Sequence, residues 1–370
     1  MKIAILTTYF HPEENGLTRY IEGLYSALLK NHPEIEVEVI AFDTLKTGKA
    51  DEKWGKFKIH RVKSWQFMGR TYAIPTPGGY LQIKKIFAEN QYDSINTHTR
   101  FFFSSFLGIW FGKKYSIPVV HTEHGSGFVQ NGNFWVELIA KIYDYTLGKY
   151  TLKNSAIVCG VSQSVCAFAK RLGAKEAHTI YNGIETDFWK KNLNADNIRK
   201  EMGVSEEEKV FTFVGRLVPS KGCQDILEAL REVKAFRWKL FVVGDGAYRK
   251  NLEALIVKNN FGGRVVFLGM CKKEKIRAVL QITDLFINAS FASEGLPTTI
   301  LEAAATGARC VSSDMGGSVE IVGEENVYPA RDITTLRGKI ANYEKIKKTD
   351  ITRFDWDNIA EKYFAVLNLM

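Results

Sequence analysis

Short apolar runs alternate with amphipathic segments along the whole chain. Several of these runs are apolar and β-branched throughout, which is typical of strands in a parallel sheet covered on both faces. Between them, the segment 18–30 places its apolar residues at helical spacing and predicts the first helix. Further helices are predicted at 223–234 and 297–306. The predicted strands are 2–9, 36–42, 57–62, 92–98, 118–124, 156–162 and 177–183, followed by 210–216, 239–246, 264–269, 284–290 and 308–313.

A polar, turn-rich segment at 181–197 separates two halves that both alternate predicted strands with helical segments. We place the domain boundary near Glu185, so that residues 1–185 form one domain and a second domain begins at residue 186. Strand–helix alternation on both sides predicts an α/β protein with two doubly wound, Rossmann-like domains. In such sheets ligands bind outside the carboxyl ends of the strands. We therefore expect the functional residues at those ends, in a cleft between the domains.

The composition is that of a folded protein from a reducing compartment. Of 370 residues, 45% are hydrophobic and 25% charged, and the five cysteines form no Cys-x-x-Cys pair. This pattern predicts buried thiols, not disulfides or a zinc site. The apolar run at the N-terminus is too short for a signal peptide, and the run at 101–112 is well below the roughly 20 residues of a membrane span. We expect a cytoplasmic protein.

The net charge is +9, of which +6 falls in residues 1–185, with 22 Lys and Arg against 16 Asp and Glu. A basic first half suits an anionic partner, either nucleic acid, a phosphorylated substrate or an acidic membrane, although a solvated basic surface is also consistent.

The segment 63–74 pairs cations with aromatic and apolar residues, as interfacial segments do. It predicts contact with an anionic membrane on the inner face of the cell membrane, the alternative being a loop that packs on its own domain. Its members are Lys63, Trp65, Phe67, Met68, Arg70 and Tyr72.

The most informative stretch is SFASEGLPTTILEAAATG at 290–307. Pro297 fits the first turn of a helix, and the N–H groups around 296–299 form an anion site strengthened by the helix dipole. Glu294 precedes this helix and Glu302 lies about 12 Å further along it. The two carboxylates can accept hydroxyl hydrogen bonds on either side of a diphosphate. The alternative is a surface helix with solvated glutamates.

Two further segments follow strands in the second half. In GRLVPSKG, Arg216 and Lys221 lie at the carboxyl end of a strand, where two cations can bind a diphosphate and stabilise its departure. The alternative is a basic turn, which is plausible for Lys221 alone and less so for the pair. In VVGDGAYR, Gly244 and Gly246 permit close backbone approach to a ligand. The third glycine of a dinucleotide fingerprint is missing, which argues against a dehydrogenase.

The first half contributes a glycine loop and a histidine segment. Gly16 precedes the first helix and forms a second anion cradle, with His11 and Arg19 within reach of the cleft. In HTEHG, His124 follows a strand; it is a candidate site residue or a buried core histidine, and metal binding is the weaker hypothesis.

Taken together, these segments resemble glycosyltransferase family 4, which has the GT-B fold. The resemblance covers nearly the whole chain. The closing segment 353–370 resembles the family's C-terminal helix that crosses back onto the first domain, which leaves 186–352 as the second domain. The motifs that carry the resemblance are YNGIETDFW, GRLVPSKG, VGDG, FLGMCKKEKI, SEGLPTTILEAAATGARCVSSDMGGSVEIV and RFDWDNIAEKYFAVL.

The resemblance implies a retaining transfer without a metal or other cofactor. It assigns catalytic roles to His124, Arg216, Lys221 and Glu294. Arg216 and Lys221 would bind the diphosphate, Glu294 the sugar hydroxyls and Glu302 the ribose. The donor-binding set that it implies is Gly16, Arg216, Lys221, Gly244, Gly246, Met270, Cys271, Glu294, Gly295, Leu296, Pro297, Thr298 and Glu302. Where the family often has Gly-Gly, this chain has Asn15-Gly16, which puts the phosphate contacts of that loop in question.

The loop after the FLG run would lie beside the nucleotide base. It begins Met270-Cys271-Lys272-Lys273, with Glu274 only afterwards. Guanine offers a row of donors that a carboxylate accepts, and lysine cannot accept. This favours uracil, and therefore a UDP-sugar over a GDP-sugar, unless Glu274 reaches the base.

The predicted function is transfer of a hexose from a nucleotide-sugar to a hydroxyl acceptor, such as a lipid-linked saccharide or a precursor of a cell-surface glycan. The alternative is a nucleotide-sugar epimerase or hydrolase on the same fold. A protein that binds nucleic acid or membrane through its basic half is the rival from another class. It would need basic residues interleaved with aromatic residues on one exposed face. We expect no nucleic-acid partner.

Overall fold

The computed structural model describes residues 1–13, 15–49, 51–67, 72–129 and 133–370. It forms two compact units. The first consists of residues 1–183 and 356–370, and the second of residues 184–355.

The first unit is built on an eight-stranded sheet in the order β10-β9-β8-β7-β1-β2-β4-β3. All neighbouring strands are parallel except β3, which closes one edge antiparallel to β4. A separate antiparallel hairpin joins β5 and β6. The strand order reverses between β1 and β7, which is the position where doubly wound sheets bind ligands. The strands are β1 Lys2–Thr7, β2 Glu36–Phe42, β3 Asp51–Trp54, β4 Phe57–Val62, β5 Ser64–Phe67, β6 Tyr72–Pro75, β7 Ser94–His98, β8 Val119–Glu123, β9 Ile157–Gly160 and β10 His178–Thr179.

The helices of the first unit begin at capping residues that the sequence supplies. The Asn15 side chain accepts a hydrogen bond from the Thr18 amide, and Ser162 does the same for Val165. A π-helical turn, Asp144–Gly148, links the fourth and fifth helices. The helices are α1 Gly16–Asn31, α2 Pro77–Glu89, α3 Phe103–Tyr115, α4 Phe134–Tyr143, α5 Lys149–Asn154 and α6 Gln163–Leu172.

The second unit has a six-stranded, fully parallel sheet in the order β13-β12-β11-β14-β15-β16. This is the strand order of dinucleotide-binding folds, and its reversal lies between β11 and β14. The strands are β11 Lys209–Val214, β12 Trp238–Val243, β13 Val265–Gly269, β14 Leu285–Asn288, β15 Arg309–Ser313 and β16 Val327–Tyr328. The helices are α7 Thr186–Lys190, α8 Ala195–Glu201, α9 Cys223–Arg231, α10 Arg249–Lys258, α11 Lys273–Gln281, α12 Thr298–Ala305, α13 Ser318–Val322 and α14 Ile333–Ala341.

The last helix, α15 (Trp356–Leu367), belongs to the first unit and packs on α1. The hydroxyl groups of Tyr25 and Tyr363 are 2.9 Å apart, and both accept from the buried Asn96 amide. The Trp356 indole leaves no room for a side chain at Gly23, where a Cβ would lie 2.2 Å from it. The predicted return of the C-terminal helix to the first domain is therefore confirmed.

The structure differs from the predicted elements mainly at edges. The run 177–183 forms a strand only at His178–Thr179. The polar strand β3 and the hairpin β5–β6 were not predicted, because their exposed residues lack an apolar pattern. This hairpin falls in the segment 63–74, of which Met68 and Arg70 lie outside the described residues. All five cysteines are free, and four of them are buried.

Candidate active site

Two loops meet at the reversal of the second sheet, one after β11 and the other after β14. Gly222 closes the first loop with φ near 71°, and a Cβ on it would lie 1.9 Å from the carbonyl oxygen of Ala289 in the second. Only glycine fits this left-handed, tightly packed position. The two segments singled out in the sequence, 215–222 and 290–307, are thus held in direct backbone contact.

An ion pair links the two loops. The Lys221 ammonium donates to the Glu294 carboxylate at 2.6 Å, and both side chains are only partly exposed. Arg216 lies at the carboxyl end of β11 with an exposed side chain that makes no ion pair with any described residue. The structure therefore brings together two predicted site residues, Lys221 and Glu294, that are 73 positions apart in the chain.

A glycine pair supports the Glu294 turn from behind. Gly316 adopts φ near 60°, and a Cβ there would lie 2.0 Å from the Glu294 carbonyl oxygen. The Gly317 amide donates to the Gly295 carbonyl at 3.0 Å. The sequence motif contained both glycines but gave no sign that they position this turn.

Helix α12 begins directly after this turn. Pro297 precedes its first residue, and no side chain caps its N-terminus. Its first-turn amides and the positive end of its dipole therefore face the end of the sheet where Lys221 lies. Leu296 is buried, whereas Thr298 and Glu302 are partly exposed. The start of α12 therefore lies where the anion site was predicted. Glu302 lies one turn further along the helix.

The glycines after β12 have a structural role. A Cβ at Gly244 would lie 2.0 Å from the Gly215 carbonyl oxygen, and a Cβ at Gly246 would lie 2.4 Å from that of Leu217. The amide of Leu217 also donates to Asp245. These contacts fix the loop that carries Arg216, so Gly244 and Gly246 approach protein backbone closely.

The loop after β13 lies at the same edge of the sheet. Met270 is largely exposed, and the Cys271 thiol is 3.5 Å from the Leu268 carbonyl. Lys273 forms an ion pair with Glu185 at 3.0 Å and lies over the Phe188 ring.

In the first unit, His124 follows β8 and lies beside His98 and Tyr20. The His98 Nδ1 and His124 Nε2 atoms are 3.3 Å apart, so one ring donates to the other. Tyr20 meets the His124 ring edge-on at 4.7 Å. Among the described residues, His98 Nε2 has no hydrogen-bond partner. Sequence reasoning missed His98 and Tyr20, because nothing in their spacing links them to His124.

A buried ion cluster holds the His124 turn in place. The Glu123 carboxylate accepts from the amides of His124 and Gly125 and pairs with Arg100 at 3.0 Å. Arg100 also pairs with Asp144 at 2.9 Å. Burial alone would raise the pKa of Glu123, but the Arg100 guanidinium, the His121 side chain and a hydrogen bond from the Arg100 amide hold it well below its usual range.

Burial lowers the pKa of His124 from 6.5 to about 4, against the opposing charge of Glu123. Burial and the neighbouring His124 also lower the pKa of His98 well below its usual value. Both imidazoles are therefore neutral at pH 7 and act as hydrogen-bonding groups.

Gly16 opens α1 at the reversal of the first sheet. A Cβ on it would meet nothing within 4 Å, so protein packing does not require glycine here. Asn15, which replaces the family's usual first glycine, caps the helix. Arg19 is exposed, whereas His11 is buried, stacks on Trp54 at 4.2 Å and bonds to Glu22. His11 is thus held by contacts within its own unit, and the reach of His11 and Arg19 into the cleft stays a prediction.

No group of three or more His, Cys, Asp or Glu suited to a metal occurs among the described residues. The carboxylate of Glu123 is instead paired with Arg100. The two acids on either side of Trp356 have different partners, since Asp357 pairs with Lys30 at 2.6 Å and Asp355 bonds to Thr186. In the described part of the chain, no helix combines the length and apolar character needed to cross a bilayer.

Comparison with known proteins agrees with this fold. Residues 14–188 match the family described as Glycosyltransferase Family 4, and residues 194–362 match Glycosyl transferases group 1. The structure of HepE from Anabaena, solved in complex with UDP, superposes with a TM-score of 0.76 at 18% identity over all of both chains. The fold is therefore of the GT-B type.

Two curated relatives are similar in sequence. The alpha-monoglucosyldiacylglycerol synthase of Streptococcus pneumoniae is 27% identical over 83% of this chain and 70% of its own length. The UDP-Gal:alpha-D-GlcNAc-diphosphoundecaprenol alpha-1,3-galactosyltransferase of Escherichia coli is 27% identical over 66% and 64%. The chain is a family 4-like glycosyltransferase.

Proposed function

We propose that this glycosyltransferase moves a hexose from a nucleotide-sugar to a hydroxyl acceptor with retention of configuration. The observation that carries the proposal is the Lys221–Glu294 pair at the reversal of the second sheet. Exposed Arg216 at the end of β11 and the start of α12 lie in the same two loop segments. This arrangement offers two cations and a helix dipole for a diphosphate beside a carboxylate for sugar hydroxyls.

In the proposed reaction, the bond between the sugar and the nucleoside diphosphate breaks and negative charge accumulates on the leaving phosphate. Arg216, Lys221 and the amides of 295–298 stabilise that charge. The acceptor hydroxyl attacks from the face that the leaving group vacates, and its proton passes to the departing phosphate. Because Lys221 and the turn at Gly316 hold Glu294, we assign it to sugar binding and not to nucleophilic attack.

We propose that the chain's own cations replace a metal and that no cofactor takes part. Glu302 would bind the ribose, as the family resemblance implies. In the first unit, we assign the neutral His124 to hydrogen bonding with substrate, oriented by His98 and by the Glu123 turn. The open space at Gly16 fits a phosphate approaching the first amides of α1.

The donor base is proposed to be uracil. Lys273 is engaged by Glu185 and Phe188, so it has no need of a base contact. Glu274 is exposed and sits in the first turn of α11, where it complements the helix dipole. The backbone of the Met270–Cys271 loop would then donate hydrogen bonds to the uracil carbonyls and accept one from the uracil N–H.

The acceptor is proposed to be lipid-linked or membrane-borne. The names of two relatives, a synthase of a glucosylated diacylglycerol and a transferase to a diphosphoundecaprenol, support this class. In the segment 63–74, Trp65 and Phe67 are exposed, which fits the predicted contact with the inner face of a membrane.

The test is a thermal-shift screen of the full chain over UDP-, GDP- and ADP-sugars, followed by transfer of labelled sugar from the best donor to a lipid extract. We expect stabilisation by a UDP-sugar, and nucleoside diphosphate release that depends on acceptor. Release at the same rate without acceptor would indicate a hydrolase. Recovery of an epimeric donor would indicate an epimerase.

A further inference from the structure

Helix α4 of the first unit turns an apolar face away from the protein. Five of its ten residues are large, apolar and between 37% and 69% exposed. At 100° per residue they cover about 140° of the helix surface. Apolar groups grouped on one face, unlike scattered ones, mark an interaction site. They are Phe134, Trp135, Leu138, Ile139 and Ile142.

The opposite side of α4 already attaches the helix to its unit. Ala140 is buried, and Tyr143 packs against Phe101 and Tyr72 at ring distances of 5.3 and 5.9 Å. The chain then continues into the turn whose Asp144 is paired with Arg100. The outward face is therefore not needed to hold the helix in the fold.

The stretch of chain that contains this helix is strongly basic. Residues 100–175 contain nine Lys and Arg against three acids, so they account for the +6 of the first half. Glu123, Asp144 and Arg100 are buried together, which leaves eight exposed cations against Glu137. The eight are Lys113, Lys114, Lys141, Lys149, Lys153, Lys170, Arg171 and Lys175.

We propose that α4 is an interfacial helix that binds the first unit to an anionic lipid bilayer. The Phe, Trp, Leu and Ile side chains would enter the headgroup boundary while cations of this basic stretch meet anionic lipid. A second copy of the chain is a poorer occupant, because the same basic stretch would then be present on both sides of the contact. The proposal extends the membrane-borne acceptor but does not depend on which sugar is transferred.

This assignment is distinct from the predicted contact through 63–74. The hairpin β5–β6 contributes Trp65 to a groove of about 370 Å³ whose lining also includes Tyr80, Phe103, Phe106 and Trp110 but none of the five exposed apolar residues of α4. Tyr72 of that hairpin packs against Tyr143 at the end of α4. The two surfaces can be tested by separate substitutions.

The experiment is co-sedimentation of the full chain with vesicles of phosphatidylglycerol and phosphatidylcholine at low salt. We expect Ile139→Glu to lower the vesicle partition coefficient roughly tenfold or more, since it loses apolar burial and adds repulsion. Val257→Glu is the matched control: Val257 is 77% exposed on α10 of the second unit, and its substitution should leave binding unchanged. Pure phosphatidylcholine should bind the wild type much less.

The proposal would be overturned if Ile139→Glu bound the vesicles as well as the wild type does, or if Val257→Glu lost as much vesicle binding as Ile139→Glu. A loss in Trp65→Glu alone would assign the membrane to 63–74 instead. A concentration-dependent dimer without vesicle binding, abolished by Ile139→Glu, would identify a second copy as the occupant. Calorimetric binding of UDP by every variant reports on the donor site and folding, so failure there is distinguishable from failure of the membrane proposal.

Discussion

Substituting Gly316 by alanine tests how the Glu294 turn is positioned. The new Cβ would lie 2.0 Å from the Glu294 carbonyl oxygen, whereas real Cβ contacts essentially never fall below 3.0 Å. The turn must therefore move by about 1 Å, and a displacement of that size at reacting groups can lower a rate about 100-fold. Alanine at φ near 60° adds a backbone cost of about 1 kcal/mol.

Gly263→Ala is the matched control for the backbone cost. Gly263 has a similar φ of 73° in the same unit, but a Cβ there would meet nothing within 4 Å. We expect both variants to be destabilised by about 1 kcal/mol or more, with kcat/KM unchanged in Gly263→Ala. In Gly316→Ala, kcat/KM for donor turnover should fall roughly 100-fold.

The assay is nucleoside diphosphate release with the donor and acceptor found in the screen, alongside scanning calorimetry to set equal folded fractions. If the two variants turn over equally at equal folded fraction, the Glu294 turn does not position reacting groups and the reasoning is wrong.

Further substitutions separate the roles of individual side chains. Arg216→Ala and Lys221→Ala should each lower kcat/KM severely. The double variant should lose less than the product of the two single losses, because both cations act on one charge. Near-normal turnover in either single variant would remove that residue from the site. Glu294→Ala should lower kcat more than it lowers donor affinity, and Glu302→Ala should lower donor affinity more than kcat. Identical kinetic defects in the two variants would refute these separate roles. Because the folded pKa of His124 is about 4 and its unfolded value about 6.5, the unfolded state binds more protons between those values. Stability should therefore rise with pH across that window, and His124→Gln should flatten the rise in denaturant titrations. A His124 titration near pH 6.5 by NMR would contradict the neutral assignment.

The sequence was most informative where a local signal sufficed. Buried strands such as β11 and the proline at the start of α12 follow from periodicity and helix chemistry. The position of Lys221 against Glu294 could be predicted only through the expected sheet topology, because 73 residues separate them. His11 shows the limit: its loop position favoured a site role, and only the fold reveals that Trp54 and Glu22 bury it.

Two features could not be predicted from the sequence, and the reason is physical. They are the support of the Glu294 turn by Gly316 and the burial of Glu123 against Arg100 and Asp144. Both depend on contacts across the sheet that leave no periodic trace in either segment. Polar edge elements, such as β3, were missed because they bury too little apolar surface to create a pattern.

A cavity in the second unit is a rival location for the donor site. A cavity of about 510 Å³ is lined by Lys339, Lys345 and Lys347. It lies by Asn326, just before β16, and so at the amino end of the parallel sheet. Ligands of doubly wound sheets bind at the opposite, carboxyl end, which favours the loops after β11 and β14.

The most direct test of the central claim is calorimetric titration of the full chain with UDP. The Arg216→Ala/Lys221→Ala variant should bind UDP roughly 100-fold more weakly than the wild type, because it loses two charge-assisted contacts to the diphosphate. The Lys345→Ala/Lys347→Ala variant, which removes the same charge from the rival cavity, should bind like the wild type. Unchanged affinity in the first variant, or its loss only in the second, would contradict the account.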